Sequence, residues 1–483
     1  MLVDPLPPLL FPGKTRSDRS WLARLEQSGR IRRVAPRLYS SVPASKVPEA
    51  VRSGWSTLVS ALFPGALLSH RSALEYRPSP RGEIVLTGTT NRELRYPGLT
   101  LRFVRGPGPL DDDPPFLAFR ASSLSRALLE NLQVTRRRAD LALPMEDIEK
   151  RLEELVAVKG EPELNRLRDR SRQIARDLGW HRGYERLVGI IAALLGTGDA
   201  NRVTSRQAHA RAVGSPYDSP RLARLELLFG SLRHCPLPEL VADSSDSAHF
   251  VNKAFFDAYF SNYIEGTTFE VEEAESIVFD GKIPDARPTD AHDILGTHAI
   301  VADPNQMRSV PASFHDFERL LALRHRTLMA ERPEARPGRY KDRPNRAGST
   351  FFVPPELVRG TLENGFALYQ DLPPGMARAI FVMFLVAEVH PFTDGNGRLA
   401  RIMMNAELFS RGLATIIIPN VYRDDYLGGL RALSRRERAE PLIAMLVKAH
   451  QFSHRRYAPY PDALKDLRRR NWFAEPGEAK LVV

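Results

Sequence analysis

The sequence predicts a mainly α protein with two or three domains, on three observations. Residues 120–235 carry apolar side chains at helical spacing almost throughout, whereas the clear strand patterns, 83–87 and 99–104, come before them. Residues 379–387 form an apolar run bounded by helix formers, and Leu399, Ile402, Met403 and Ala406 follow at helical spacing. A chain of 483 residues is long for one domain, and 43% hydrophobic residues are ample for packed cores.

From the amino terminus, Pro5, Pro7, Pro8 and Pro12 leave little room for a first helix. Trp21, Leu22 and Leu25 mark a short helix that Gly29 stops. Ile31 to Val34 and Leu38 to Ser40 flank an Ala-Pro-Arg turn and read as a basic hairpin. Leu67 to Leu74, which includes His70, opens a further helix, and two strands follow at 83–87 and 99–104. A helix followed by a hairpin is the second half of a winged helix, so residues 1–110 are expected to form a small α/β domain of that kind. Residues 106–115 are rich in Pro, Gly and Asp and read as a linker. A helical connector is expected over 116–239, where Ile148, Leu152 and Leu155 fit one face.

Composition limits the function classes. Cys235 is the single cysteine, which excludes an internal disulfide framework and suits a reducing cytoplasm. No basic-apolar signal stands out at the start, and no apolar run is long enough to span a bilayer. The net charge of +11 points towards an acidic partner, nucleic acid first among them. Arg30, Arg32, Arg33 and Arg37, on the predicted hairpin, are the candidate phosphate contacts to DNA. His209 and His234 lie far from any metal partners and are expected at the surface.

The most informative stretch is His390-Pro-Phe-Thr-Asp-Gly-Asn-Gly-Arg-Leu-Ala-Arg401. His390 ends the apolar helix, and its imidazole is able to accept a hydroxyl proton at neutral pH. Asp394 is a hard oxygen ligand of the kind magnesium prefers on a polyphosphate. Gly395 and Gly397 permit a turn in which backbone N–H groups converge, with Asn396 between them, and the helix that starts there offers its positive end to an anion. Arg398 and Arg401 lie three apart, share a helix face and are suited to separate phosphates. Phe392 is expected to point inward and anchor the loop.

These residues match the pattern His-x-Phe-x-Asp/Glu-Gly-Asn-Gly-Arg-x-x-Arg at every fixed position, and residues 240–455 resemble the Fic (Fido) family. Pro337-Gly338-Arg339, Asn345 to Val353 and Pro354-Pro355 resemble the family's hairpin flap, and Tyr422 to Leu427 resemble its adenine-side segment, with Tyr426 at the nucleotide. The resemblance implies a helical Fic domain over 240–460 that transfers AMP from ATP, with Mg2+, to a hydroxyl side chain of a target protein docked on the flap. It makes His390 the base, Asp394 the metal ligand, and Gly395, Asn396, Gly397, Arg398 and Arg401 the triphosphate site.

Ser261-Asn-Tyr-Ile-Glu265-Gly266 matches the family's inhibitory pattern, at the end of a helix expected over 248–265. The implication is that Glu265 pairs with Arg401 and withholds it from the γ-phosphate. Read without the family, the same residues are a helix end capped by Gly266. The amino-terminal part resembles winged-helix domains of abortive-infection type antitoxins, which implies DNA as a second partner. Removal of AMP from a target, or a DNA-binding regulator with a nucleotide-sensing Fic domain, are the alternatives. Residues 461–483 are expected to form a basic tail.

Overall fold

The computed structural model describes residues 6–13, 15–134, 136–242 and 247–482. It divides into two compact units, 1–214 and 215–483. Pro5 lies outside the described residues.

In the first unit, β1 (Leu9–Leu10), β2 (Arg32–Ala35) and β3 (Leu38–Ser40) form a sheet in the order β1-β3-β2. The proline-rich start is therefore a strand where a first helix was expected to be short or absent. The helix Arg16–Gln27 begins with a capping box, in which the Thr15 hydroxyl accepts from the Asp18 N–H and the Asp18 carboxylate accepts from the Thr15 N–H. Its apolar face, Leu22 and Leu25, packs with Leu10 and Ile31.

A larger sheet contains β4 (Leu67–Leu68), β5 (Glu83–Gly88), β6 (Arg92–Tyr96), β7 (Leu99–Arg105), β8 (Pro115–Phe116) and β9 (Phe119–Ala121). Their order is β6-β7-β5-β4-β9-β8. The strands expected at 83–87 and 99–104 are β5 and β7, paired in parallel; β6 adds antiparallel to the outside of β7.

The expected connector is not a unit of its own. Leu128, Leu129, Leu152 and Leu187 from the helices after the sheet share one core with Leu86 and Leu101 from its strands. Nor is the segment 106–115 a free linker. Buried Arg126 donates to the carbonyls of Pro107 and Gly108 and to the carboxylates of Asp113 and Glu130, fixing the segment to the helix Leu124–Gln133.

The second unit is helical and starts earlier than residue 240. The helix Ser219–Leu232 belongs to it: Leu225 and Leu228 are buried, and the Asp218 N–H donates to Thr361 Oγ1 at 2.9 Å. At the centre, nearly every residue of the helix Met376–Val389 is buried, and it packs against Asn396–Ser410. The upstream helix Ser247–Ile264 lies against the second helix of this pair and against the helix Pro288–Val301. A hairpin of β10 (Arg346–Ala347) and β11 (Thr350–Phe351) projects from the loop before that pair.

Residues 461–482, expected as a basic tail, pack as part of the second unit. Tyr460–Arg469 is a helix, and fully buried Trp472 meets the Phe260 and Phe452 rings at centroid distances of 5.6 Å each. No helix of the described residues is long and apolar enough to cross a membrane.

Candidate functional site

The site is built where the helix Met376–Val389 stops. His390 takes the left-handed conformation, φ 55°, and turns the chain out of that helix. Its Nδ1 lies 3.3 Å from the Ala387 carbonyl; a carbonyl only accepts, so Nδ1 carries the proton and Nε2 keeps its lone pair. Phe352, next to β11, stacks on the imidazole at 3.7 Å with the planes 5° apart. Burial pushes the His390 pKa down to about 4, the charge of Lys341 acting in the same direction and that of Glu265 opposing it. The ring is neutral at pH 7.

The loop that follows is braced from both sides. Asn396 accepts from the Phe392 N–H at 2.8 Å and donates back to the Phe392 carbonyl at 2.9 Å. Phe392 is fully buried, as expected, and stacks on His325 at 3.8 Å. His325 Nδ1 accepts from the Gly338 N–H, so its Nε2–H donates to the Asp394 carbonyl. Buried Lys341 donates to the His390 carbonyl and to Asn345 Oδ1, each at 2.7 Å. Burial, with the charge of Arg221, brings its ammonium pKa down to about 7.

Glu388 ties the same corner to the flap. It accepts from Arg221, from Arg224 at 2.9 Å and from Ser434 at 2.5 Å, while Arg221 also donates to the Phe351 carbonyl. His325, Lys341, Arg221 and Glu388 were not foreseen, and Phe352 was read only as part of the flap 345–353. Arg221 meets Glu388 across 167 positions, Lys341 reaches the His390 carbonyl across 49 and His325 the Asp394 carbonyl across 69, and no local spacing marks these contacts.

The helix Asn396–Ser410 begins behind Gly395, whose φ is 74°. A Cβ on Gly397 would lie 2.1 Å from Glu265 Oε1, so the carboxylate rests directly on the glycine at the helix N-terminus. The same oxygen accepts from Arg401 Nη2 at 2.7 Å. Arg401 also donates through Nε to Ser261 Oγ and through Nη2 to the Ser261 carbonyl, at 2.9 and 2.8 Å. Its guanidinium lies 5.7 Å from the Tyr426 ring centroid.

Glu265, with its side chain 34% exposed, is raised in pKa by burial. The Arg401 charge and hydrogen bond, with the charge of Arg398, outweigh that and hold it below the usual carboxylate range. Gly266, φ 95°, ends the upstream helix, and the Thr267 N–H closes onto the Asn262 carbonyl. The helix-end reading and the Arg401 contact therefore coexist at one motif.

Arg398 is oriented differently from Arg401. Nη1 reaches Asn262 Oδ1 and Asp293 Oδ2, each at 3.1 Å, while the buried Nε has no hydrogen-bond partner among the described residues. Asp394 is exposed, with Oδ1 accepting from the Gly395 N–H at 2.7 Å. That leaves a hard carboxylate beside the helix N-terminus. It fits magnesium, which takes one or two protein carboxylates and completes its shell with water and phosphate.

His390, Gly397, Arg401, Glu265, Tyr426 and Phe352 line one cavity of about 550 Å³. The DNA candidates Arg30, Arg32, Arg33 and Arg37 are all exposed in the other unit. Arg32 and Arg33 are adjacent on β2 and so point to opposite faces of its sheet.

Residues 314–408, which include the whole motif, match the Fic/DOC family. A Fido domain-containing protein of Dictyostelium discoideum is 32% identical over 103 residues, 20% of this chain and 72% of that protein. The chain belongs to the Fic/DOC family. The protein adenylyltransferase fic-1 of Caenorhabditis elegans is 26% identical over 212 residues, 42% of this chain; the match spans only 41% of that protein's length. A solved structure of Fic-1 residues 134–508 from the same organism aligns at 17% identity and a TM-score of 0.38, covering 66% of this chain and 97% of that one. The Fic/DOC match begins at Phe314, so the upstream helix carrying Glu265 and the helix carrying Arg221 fall outside it.

Proposed function

We propose that this Fic protein transfers AMP from Mg-ATP to a hydroxyl side chain of a target protein and is restrained by Glu265. One observation carries the reading. A neutral imidazole with a free Nε2, a helix N-terminus opened by Gly397 and the Arg401 guanidinium face one cavity that already holds a carboxylate as an anion. The names of the relatives support adenylyl transfer as the chemistry.

In this mechanism the target oxygen attacks the α-phosphorus while the bond from that phosphorus to the β-phosphate bridging oxygen breaks. AMP becomes attached to the target and pyrophosphate leaves. His390 Nε2 takes the hydroxyl proton, held in position by the Ala387 carbonyl and the Phe352 ring. The N–H groups at the start of the helix Asn396–Ser410 bind polyphosphate oxygens, and Arg401 binds the terminal phosphate once Glu265 leaves it. Asp394 would hold magnesium, which supplies charge neutralisation on the polyphosphate. Tyr426 lines the nucleotide side of the cavity, and the flap strand presents the target hydroxyl to His390.

Incubation of the Glu265→Gly variant with α-labelled ATP, magnesium and lysate, followed by autoradiography, tests this reading. Label on protein that disappears with His390→Ala is the expected result. Absence of label on any protein, including the variant itself, removes the reading.

A further inference from the structure

Towards the N-terminal end of the upstream helix, along its seam with the helix Asn396–Ser410, lies a larger cavity of about 770 Å³. Phe250, Met307, Phe409 and Leu413 are part of its apolar lining, and the Phe250 and Phe409 rings meet at 5.5 Å. Lys253, Arg308 and Arg456 also line it. Among the described residues no carboxylate lies within ion-pair distance of any of these three. Arg455, a fourth cation at the cavity, is taken by Asp466 at 2.8 Å. One described carboxylate, Asp257, lines the space, and it accepts from Asn405 at 2.9 Å.

Lys253 is half-buried within the cavity, while Arg308 and Arg456 are exposed at its rim. Burial brings the Lys253 pKa down to about 8 against the opposing charge of Asp257, so this ammonium has lost hydration without gaining an ion pair to any described residue. Arg308 lies over the Phe409 ring at 5.8 Å and Lys253 over the Tyr457 ring at 5.4 Å, so each has an aromatic neighbour but no carboxylate partner among the described residues; such a cavity is complementary to an anion that carries an apolar group. Cations at separate points around the mouth favour the several oxygens of a phosphate over a single carboxylate.

We propose that this cavity is a binding site for a small phosphate monoester with an apolar body, its phosphate held by Lys253, Arg308 and Arg456 and its body against Phe250 and Phe409. The site is distinct from the nucleotide cavity. Lys253 and Glu265 stand on the same helix region twelve residues apart, roughly 18 Å along the axis. The inference does not depend on the proposed transferase activity.

The test is calorimetric titration of the full-length protein with octyl phosphate, beside octanol, octanoate and inorganic phosphate. Expected is saturable binding of octyl phosphate at about millimolar concentration or below, with octanol and inorganic phosphate at least about tenfold weaker. Octanoate binding less tightly than octyl phosphate supports the phosphate assignment, and octanoate binding more tightly overturns it. Lys253→Met keeps the length of the side chain and removes its charge; affinity should fall about tenfold or more. Should that variant not fold, Arg308→Gln and Arg456→Gln at the exposed rim carry the same expectation. Absence of saturable binding, binding unchanged in all three variants, or displacement of octyl phosphate by ATP each overturns the proposal.

Discussion

Glu265 and Arg401 meet through a 2.7 Å hydrogen-bonded ion pair, and Ser261, one turn before Glu265, fills the rest of the guanidinium edge. Arg401 is 4% exposed, Glu265 is the one carboxylate in ion-pair contact with it among the described residues, and Ser261 and the Tyr426 ring complete its surroundings. Removing the carboxylate leaves a buried cation facing an open cavity, a condition an incoming phosphate corrects. Glu265→Gly is therefore expected to raise self-modification by about tenfold or more, and Arg401→Ala added to it to bring the signal back down. Equal labelling of Glu265→Gly and wild type would show that the pair only ends a helix.

His390→Ala, made in the Glu265→Gly background, is expected to lower transfer by about 10²-fold or more while ATP affinity changes little. The phosphate contacts come from the next helix, which the imidazole does not support. Calorimetry for ATP beside a labelling time course separates the two effects, and equal transfer rates would remove His390 as the base.

Gly397→Ala places a Cβ 2.1 Å from Glu265 Oε1, which is expected to push the carboxylate off Arg401. In the Glu265→Gly background the added methyl meets no carboxylate, and the expected outcome is lost ATP binding at the unfolding midpoint of Glu265→Gly alone, because a phosphate needs the same space. Normal ATP affinity in the double variant would place the anion seat elsewhere.

The flap hairpin gives a sharper test of target docking than sequence alone allows. The Phe352 N–H donates to the Asn345 carbonyl, and Ala347 faces Thr350, so alternation along the ladder turns the Phe351 N–H outward. A proline at Thr350 would break the hairpin itself; at Phe351 it removes the outward donor. Phe351 is 65% exposed, which makes Phe351→Ala a control for its side chain. Phe351→Pro is expected to keep ATP affinity and lose target modification beyond the effect of Phe351→Ala. Equal target labelling in both variants would move docking away from this edge.

Acid should destabilise the Fic unit before most carboxylates titrate. Burial lowers His325, His390 and His450 to about 4 each, whereas an unfolded histidine titrates near ~6.5. Below that value the unfolded chain binds protons that the folded one excludes. Stability is then lost as pH falls from ~6.5 towards ~4, each histidine contributing up to ~1.4 kcal/mol per pH unit. Denaturant melts across this range check the slope; a flat profile from pH 7 to 5 would contradict the buried neutral rings.

The motif loop was legible because its chemistry is local: His390, Asp394, the glycines and Arg401 lie within one turn-and-helix segment whose geometry follows from residue type. The upstream helix was legible because Ser261 and Glu265 are one turn apart. Arg221 and Glu388 were not, since 167 positions separate them and each looks like an ordinary helix charge until the fold joins them. Strand β6, Arg-Glu-Leu-Arg-Tyr, has too many exposed charges to stand out and exists because β7 offers it an edge. The misplaced boundary has the same origin. Ser219–Leu232 is as apolar as the helices before it, and only the partners of Leu225 and Leu228 decide which unit receives it.

Because Glu265 and Arg401 belong to one chain, their separation is a unimolecular equilibrium that dilution does not shift. A nucleotide that needs Arg401 free binds with an apparent Kd equal to its intrinsic Kd divided by the open fraction. With about one molecule in a hundred open, affinity would look about a hundredfold weaker than the site itself provides. The ion pair would then set a threshold concentration of nucleotide, and a change of ~1.4 kcal/mol in that pair would move the threshold tenfold without altering any catalytic group.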